Sequence, residues 1–553
     1  MFINTFVILA IFAVLFILNI KYLVRPFKKI DKKTLVIFGG ILLFFLIIYW
    51  FFIPNVHRVY GDEPVLVTGA TLFPGVIGET APITAIFHLA FLIFGFSNIV
   101  AIKCNLVISI INLFLLFYLL HILFQDNYTS ILTPLFVAIS ASYITFATCS
   151  YTIIVGLMFV LLSSILFWLF IKYDKVLLNL LLVLSLCLSA ISRIDYILFI
   201  PMYFVWWIFI KRKKIKQWKK NNLYWLENFA CWIFIIPFFL SNIYFPALKS
   251  KMNLWANAPA LSFGASNVFA NLKVVVSVFN GLSGKIILLV FLVCLFVSIF
   301  FLWKQKKLAQ GLFLLSVSSI FMVFYLFNGY ISDHYYLLLF SYFLFIFAIP
   351  LSMLLKLKKL YRKIFAIAIL IVIVITILPN SVTKVYARTK DYHYLSTAAP
   401  EILEWYLPED CLVITPYAPD IQMGTSINVV STIDLIDISP YAPDVQMETS
   451  TDVTNIRDVV NNPGLLTYTG DVYFFEDYLC GYPSNEAGMK EDCNYIKDNF
   501  YLNPELVIKS KRLNISYILY RICTIDYPLE NRSKEVKVFY VEPKPAPFWF
   551  SFY

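Results

Sequence analysis

Twelve apolar stretches, each about as long as a membrane is thick, set the first constraint on this chain. They lie at roughly 3–23, 34–54, 99–124, 130–149, 151–172, 176–192, 195–210, 224–245, 284–303, 308–329, 334–355 and 364–380. A helix rising about 1.5 Å per residue needs about 20 such residues to cross a hydrocarbon core of about 30 Å. The composition agrees, with 60% of the 553 residues hydrophobic and 14% charged, against about 25% charged in ordinary soluble domains. A soluble globular enzyme is excluded. The first stretch carries its charge after the apolar run and is followed by no A-x-A cleavage site, so it is kept as a helix or signal anchor.

The net charge of +11 conceals two unlike parts. Residues 1–380 hold 30 Lys and Arg against 9 Asp and Glu, whereas residues 381–553 hold 14 against 24. In the first part the basic residues cluster at 21–33, 172–175, 211–220, 304–307 and 356–363, which are alternate connections between spans. By the positive-inside rule these connections face the cytoplasm. The rule holds along the chain if the apolar segment 83–97 lies along the outer face, or only partly enters it. The N-terminus, the 55–98 loop, the 246–283 loop and all of 381–553 are then outside. Positive charge arranged in this way is a topology signal, so nucleic acid is excluded as a partner. Cys104, Cys149, Cys187, Cys231 and Cys294 fall within apolar runs, where cysteine serves as a small hydrophobe, and their spacing matches no metal site.

The expected architecture is therefore an α-helical polytopic membrane domain over 1–380, with about 12 transmembrane helices, followed by an extracytoplasmic α/β domain over 381–553. Within the latter the pattern predicts a helix near 400–407 and strands near 411–414, 471–476, 515–520 and 536–541, enough for a three-layer core. The segment Ile414 to Ser426 nearly repeats as Ile438 to Ser450, with ten identities in thirteen. Two copies are too few for a solenoid, so they read as two similar loops; a ligand surface on Tyr417, Asp420, Tyr441 and Asp444 is the other reading. Cys480 and Cys493 lie where a disulfide is chemically allowed, although spacing alone does not fix their pairing. The N-x-S/T sites at Asn514 and Asn531 are outside, while that at Asn127 falls in a cytoplasmic loop.

Ionised side chains beside membrane helices are costly, so those that persist are functional candidates. Of eight carboxylates between residues 34 and 380, Asp62, Glu63, Glu79, Asp195 and Asp333 map to the outer side, and Asp126, Asp174 and Glu227 to the inner. Asp62 and Glu63 are adjacent, shortly after a span ends. One such carboxylate can take the proton of an attacking hydroxyl while the other orients it; a solvated turn fits the dipeptide as well. The outer cations are Arg58, Lys103, Arg193, Lys249, Lys251, Lys273 and Lys285, with His334 beside them. Lys103 and Arg193 stand at outer helix ends, where they either snorkel to the interface or hold a lipid phosphate through charge-assisted hydrogen bonds. Asp333-His334-Tyr335-Tyr336 opens a late span, as a helix cap with interfacial tyrosines or as part of a site.

These residues occur in a familiar order. Gly61-Asp62-Glu63-Pro64, then Glu79 and Pro82 before an apolar helix, then Phe94-Gly95-Phe96 and Ala101-Ile102-Lys103, together resemble the GT-C membrane glycosyltransferases that use polyprenyl-phosphate sugars. Their nearest branches are the protein O-mannosyltransferases and the lipid A aminoarabinose transferases. Ser192-Arg193-Ile194-Asp195 and Asp333-His334-Tyr335 resemble two further outer helix ends of that family. The motif-level match covers 57–120, and the architecture matches over about 34–380. The resemblance implies that Asp62 is the catalytic base with Glu63 its neighbour. Lys stands at 103 where the family has Arg, and no Arg stands at 333–336. No Trp-Trp-Asp-Tyr-Gly motif is present, nor an outer D-x-D, which argues against a metal-dependent oligosaccharyltransferase.

The sequence thus leads to an inverting glycosyltransferase of the cell envelope. It would move a sugar from a polyprenyl-phosphate carrier to a glycan, protein or lipid acceptor at the outer face. Arg58, Lys103, Arg193 and His334 would stabilise the departing phosphate, with Glu79, Asp195 and Asp333 as secondary acidic candidates. No metal is required by this scheme, although Asp62 and Glu63 would suit a hard divalent cation. The rivals are a transporter or flippase for a lipid-linked sugar, for which the membrane half shows no internal repeat, and a non-catalytic membrane scaffold.

Overall fold

The computed structural model describes residues 2–53, 70, 81–95, 97–216, 222–233, 267–269, 282–327, 337, 341–357, 359–388, 392–408, 411–415, 427–431, 471–477, 480, 493–494, 496–498, 501–510, 516–523 and 536–541. The chain forms two compact units. One comprises Met1–Ile53, Pro74–Ile86 and Lys103–Val382; the other comprises Pro54–Phe73, Phe87–Ile102 and Thr383–Tyr553.

The first unit is helical. In chain order the helices are α1 Phe2–Phe27, α2 Lys32–Ile47, α3 Ala81–Phe94 and α4 Asn98–Phe124, the last two running across the boundary with the second unit. Then follow α5 Asn127–Ala138, α6 Ala141–Ala147, α7 Ile153–Tyr173, α8 Val176–Ser192, α9 Phe199–Lys216, α10 Asn222–Ile233, α11 Leu282–Lys304, α12 Leu308–Phe327, α13 Phe345–Lys356 and α14 Leu360–Arg388. Among the described residues, Leu9–Phe27, Lys32–Phe52, Ile99–Phe124, Ile153–Tyr173 and Leu360–Thr383 are long and apolar enough to cross a membrane. Shorter apolar helices occur at Pro82–Phe94, Val176–Ser192, Leu288–Lys304, Leu308–Ile320 and Ser341–Lys356. The expected spans at 224–245 and 334–355 run partly outside the described residues, so twelve spans remain an expectation.

One expected straight span is broken. α5 and α6 meet at a 72° bend, because Ser140 leaves the helical region at φ −74° and ψ 139° and starts a new helix by accepting from the Tyr143 amide. The Ser140 hydroxyl also donates to the Val137 carbonyl at 2.7 Å, and the Tyr49 hydroxyl donates to the Ala138 carbonyl at 2.5 Å. Side chains thereby satisfy carbonyls that the bend frees, as a hydrocarbon environment demands.

α7 and α8 are buried almost all round, as expected of helices apolar on every face. α2 and α14 instead leave large apolar side chains open, Val36 at 74% and Val372 at 62% exposure, a surface suited to lipid. With lipid as apolar as leucine, polar contacts fix which helices pair, at about 0.6 kcal/mol each on average. Here the Ser163 hydroxyl donates to Ser185 at 2.9 Å, the Ser164 hydroxyl lies 2.8 Å from that of Tyr342, and the Asn179 amide donates to Asn228 Oδ1 at 2.9 Å.

Asp126 joins helices at the far end of α4 from Lys103. It caps α5 by accepting from the Tyr128 amide at 3.2 Å. Its Oδ2 accepts from Thr129 at 2.7 Å, from Ser352 of α13 at 2.8 Å and from the Lys356 ammonium at 2.8 Å. Asp174, another carboxylate mapped to the inner side, closes α7 in the left-handed region at φ 56° and accepts from Lys211 at 3.1 Å and Tyr224 at 2.8 Å. Both are structural ties.

The second unit holds helix α15, Tyr392–Tyr406, which leads into a six-stranded sheet. The strands are β1 Leu412–Thr415, β2 Asn428–Ser431, β3 Val472–Glu476, β4 Tyr501–Ser510, β5 Ser516–Cys523 and β6 Lys537–Val541, in the order β2-β1-β3-β5-β4-β6. β1 pairs in parallel with β2 and β3, β5 pairs antiparallel with β3 and β4, and β4 pairs in parallel with β6. Ala399, Leu403 and Leu407 bury against Val413, Val429, Phe475, Leu506 and Leu519, placing one helix layer on the sheet. The expected strands are present; β2 and β4 are additional. Cys480 and Cys493 form a disulfide with a Cα–Cα distance of 5.6 Å. Most of the repeat, from Pro416 to Ser426 and from Ile438 to Ser450, lies outside the described residues, as do Asn514 and Asn531.

Candidate functional site

Of the residues expected to carry chemistry, Lys103 and Arg193 are described with their side chains, and Asp195 by its backbone alone, in a 3-10 turn over Ile194–Leu198. Arg58, Asp62, Glu63, Glu79, Asp333 and His334 lie outside the described residues.

α2 does not end as a regular α-helix. It widens into a π-helical turn over Ile48–Phe52 before turning extended at Ile53, a distortion that recurs at functional sites. The Lys103 ammonium donates to the Trp50 carbonyl of this turn at 2.8 Å and stands 4.7 Å from the centre of the Trp50 ring. A cation at a helix C-terminus also meets the negative end of the helix dipole. The ammonium is thus held in place by an aromatic face and a carbonyl, rather than trailing freely at an interface.

Arg193 ends α8. Its backbone is extended at φ −154° and ψ 125°, and its amide closes the helix on the Ser189 carbonyl at 3.1 Å. The guanidinium lies 5.8 Å from the Tyr151 ring centre and 5.9 Å from that of Tyr196, and donates to the Tyr151 hydroxyl at 3.5 Å. Tyr196 can come close because residue 156 is glycine: a Cβ there would lie 2.6 Å from the ring.

Asn105 links the two cations. It is fully buried, and its amide nitrogen donates to the carbonyls of Phe146 at 3.0 Å, Cys149 at 2.6 Å and Tyr151 at 3.4 Å. It follows Lys103 by two positions on α4, so the two side chains leave the helix about 200° apart at levels differing by about 3 Å. Lys103 therefore faces the end of α2, while Asn105 faces the segment carrying Tyr151 and, through it, Arg193. Both cations sit at one end of the first unit. An array of fixed cations and aromatic faces can hold a phosphate and stabilise charge arriving on it.

The sequence located the two cations, but not Trp50, Asn105, Tyr151 or Tyr196. Tyrosine and tryptophan near helix ends look like interfacial residues in any membrane protein. The available signal was Asn105, an amide in an apolar run that also holds Asn112; such groups must find partners. Among the described residues no three His, Cys, Asp or Glu side chains converge into a metal-holding group.

The fold matches ArnT from Cupriavidus metallidurans. The crystal structure of that protein in the apo state aligns with 88% of this chain and 97% of its own, at a TM-score of 0.52 and 10% sequence identity. The same protein bound to undecaprenyl phosphate aligns over 89% and 98%, again at a TM-score of 0.52 and 10% identity. The chain has the GT-C fold of these structures. No protein-family model and no curated protein sequence matches it.

Proposed function

We propose that this chain is a membrane glycosyltransferase that transfers a sugar from a polyprenyl-phosphate carrier to an acceptor at the outer face, with inversion. The observation that carries the reading is the fold shared with ArnT over nearly the whole of both chains, in a structure that includes undecaprenyl phosphate. The placement of Lys103 and Arg193 at one end of the first unit supports it.

In this reading the acceptor hydroxyl oxygen attacks the anomeric carbon from the face opposite the carrier. The new C–O bond forms as the bond from carbon to the phosphate oxygen breaks, and the bonding electrons leave on the polyprenyl phosphate. Asp62 takes the hydroxyl proton and Glu63 orients it. A phosphate leaves without a proton donor, so what it needs is positive charge that does not have to reorganise. Lys103 and Arg193 supply that charge, with Arg58 and His334 assigned to the same task. Glu79, Asp195 and Asp333 are the secondary acidic candidates of this reading. The domain boundary near residue 380 belongs to the same reading, with 381–553 outside the membrane.

The bend between α5 and α6 is what a transporter would offer, since broken helices bind ions and substrates at midplane. Its Val137 and Ala138 carbonyls are already taken by Ser140 and Tyr49, which favours a structural bend.

The test is transfer of labelled sugar from polyprenyl phosphate by membranes containing wild type or Asp62→Asn at equal protein level. The variant is expected to lose at least about a hundredfold, the low end of what a general base contributes. Equal transfer would remove Asp62 from the mechanism. No transfer by the wild type with any donor would return the flippase reading, to be followed by a lipid translocation assay.

A further inference from the structure

At the end of the first unit that carries Asp126, a cavity of about 450 Å³ opens between α11 and α13. Val297, Phe301, Pro350, Met353, Leu354 and Leu357 line it with apolar surface, and Lys356 supplies its charged group. The Lys356 ammonium pairs with Asp126 at 2.8 Å, and its side chain remains 41% exposed. Lys307, in the turn between α11 and α12, is half-buried beside it and donates to the Phe124 carbonyl. Lys304, Lys306, Lys359 and Arg362, within six residues of one or the other in the sequence, have exposed side chains.

The charges do not balance. Asp126 serves both ammonium groups, Lys356 directly and Lys307 through the field between them. Burial lowers the Lys307 pKa and Lys356 lowers it further, against the pull of Asp126. Two ammonium groups, Lys307 half-buried and Lys356 more open, around one carboxylate leave room for another anion. The apolar slot beneath is suited to a hydrocarbon chain. Basic pockets between membrane helices bind the headgroups of anionic lipids in this manner.

We propose that this site binds an anionic phospholipid, its acyl chain in the slot between α11 and α13 and its phosphate on Lys356 and Lys307. The lipid is a structural partner of the bundle and takes no part in sugar transfer, so the inference stands independently of the proposed activity. Occupancy would tie α13 to the turn after α11 through a ligand, adding to the tie that Asp126 makes with α5.

The full chain, purified in a neutral detergent, is titrated with phosphatidylglycerol or phosphatidylcholine and read by native mass spectrometry, with thermal unfolding as a check on folding. Phosphatidylglycerol is expected to bind at least roughly fivefold tighter, the worth of about one lysine near an anionic lipid. Leu357→Trp, which fills the slot, should abolish the preference. The paired change Asp126→Asn with Lys356→Gln removes the ammonium without stranding its carboxylate, and should weaken phosphatidylglycerol alone. Asp126→Asn by itself frees both cations and should tighten it. Equal binding of the two lipids overturns the inference, as does wild-type affinity for phosphatidylglycerol in a folded Leu357→Trp variant.

Discussion

At residue 193 an arginine and a lysine are unequal, although both carry the charge. The guanidinium lies within 6 Å of two tyrosine ring centres, and a planar cation stacks on aromatic faces as an ammonium does not. Its geometry depends on neighbours that touch no substrate. Gly156→Ala would place a methyl 2.6 Å from the ring of Tyr196, which is buried to 1% exposure. The ring has to move, and overpacking of this kind costs about 1–3 kcal/mol. The expected outcome is a lower midpoint of thermal unfolding and a raised KM for the polyprenyl-phosphate donor, because Arg193 loses one wall of its cradle. Gly311→Ala is the control. Its methyl would press on the Cδ1 of Leu302, with the Cγ of the same side chain at an ordinary 3.7 Å; a rotamer change can withdraw the Cδ1, and Arg193 is not involved, so its KM should match wild type. A Gly156→Ala enzyme with unchanged KM would remove the cradle from donor binding.

Among elements, α13 is held to the start of α5 by Asp126. Burial opposes ionisation of its carboxyl, but hydrogen bonds from Lys356, Thr129 and Ser352 outweigh that and keep its pKa below the ordinary value. A carboxylate depressed in the folded state adds stability above its unfolded pKa, about 4, and the contribution is lost as pH falls through the folded value. Acid should therefore lower the unfolding midpoint of the wild type more than that of Asp126→Asn, which has no such proton to gain. Parallel acid profiles would show that the pair adds nothing. The elements also differ in how legible they were. The apolar stretches gave the helices by length alone, whereas the bend after Ala138 depends on Ser140 capping a new helix amid apolar residues. β4 was missed because Pro504, Glu505 and Lys509 interrupt its pattern. Its ladder shifts register between Pro504 and Leu506 to accommodate the proline, and buried Glu505 lies 4.0 Å from Arg521 of β5. Lys103 and Arg193 could be read as cations at helix ends, but Trp50 and Tyr151 join them only through tertiary packing, which no local pattern encodes.

For the whole molecule, the charge distribution makes a prediction about which end faces the cell exterior. Clusters such as 304–307 and 356–363 oppose translocation, so the end carrying Asp126 is expected inside, and the end carrying Lys103 and Arg193 outside with the sheet. Two exposed lysines report on the two sides: Lys304, at the end of α11, and Lys509, in β4. Lys304→Cys and Lys509→Cys are to be compared in a background with Cys104 and Cys294, both part-exposed, replaced by alanine. A membrane-impermeant maleimide should label Lys509→Cys in intact cells and Lys304→Cys only after lysis. The opposite pattern would put the sheet, Lys103 and Arg193 in the cytoplasm, where an outer-face transferase has no use for them. Labelling of both in intact cells would mean an even number of crossings between 304 and 509, where the expected spans make three. The charge rule would then have misassigned a connection, and α12 to α14 would be the place to look.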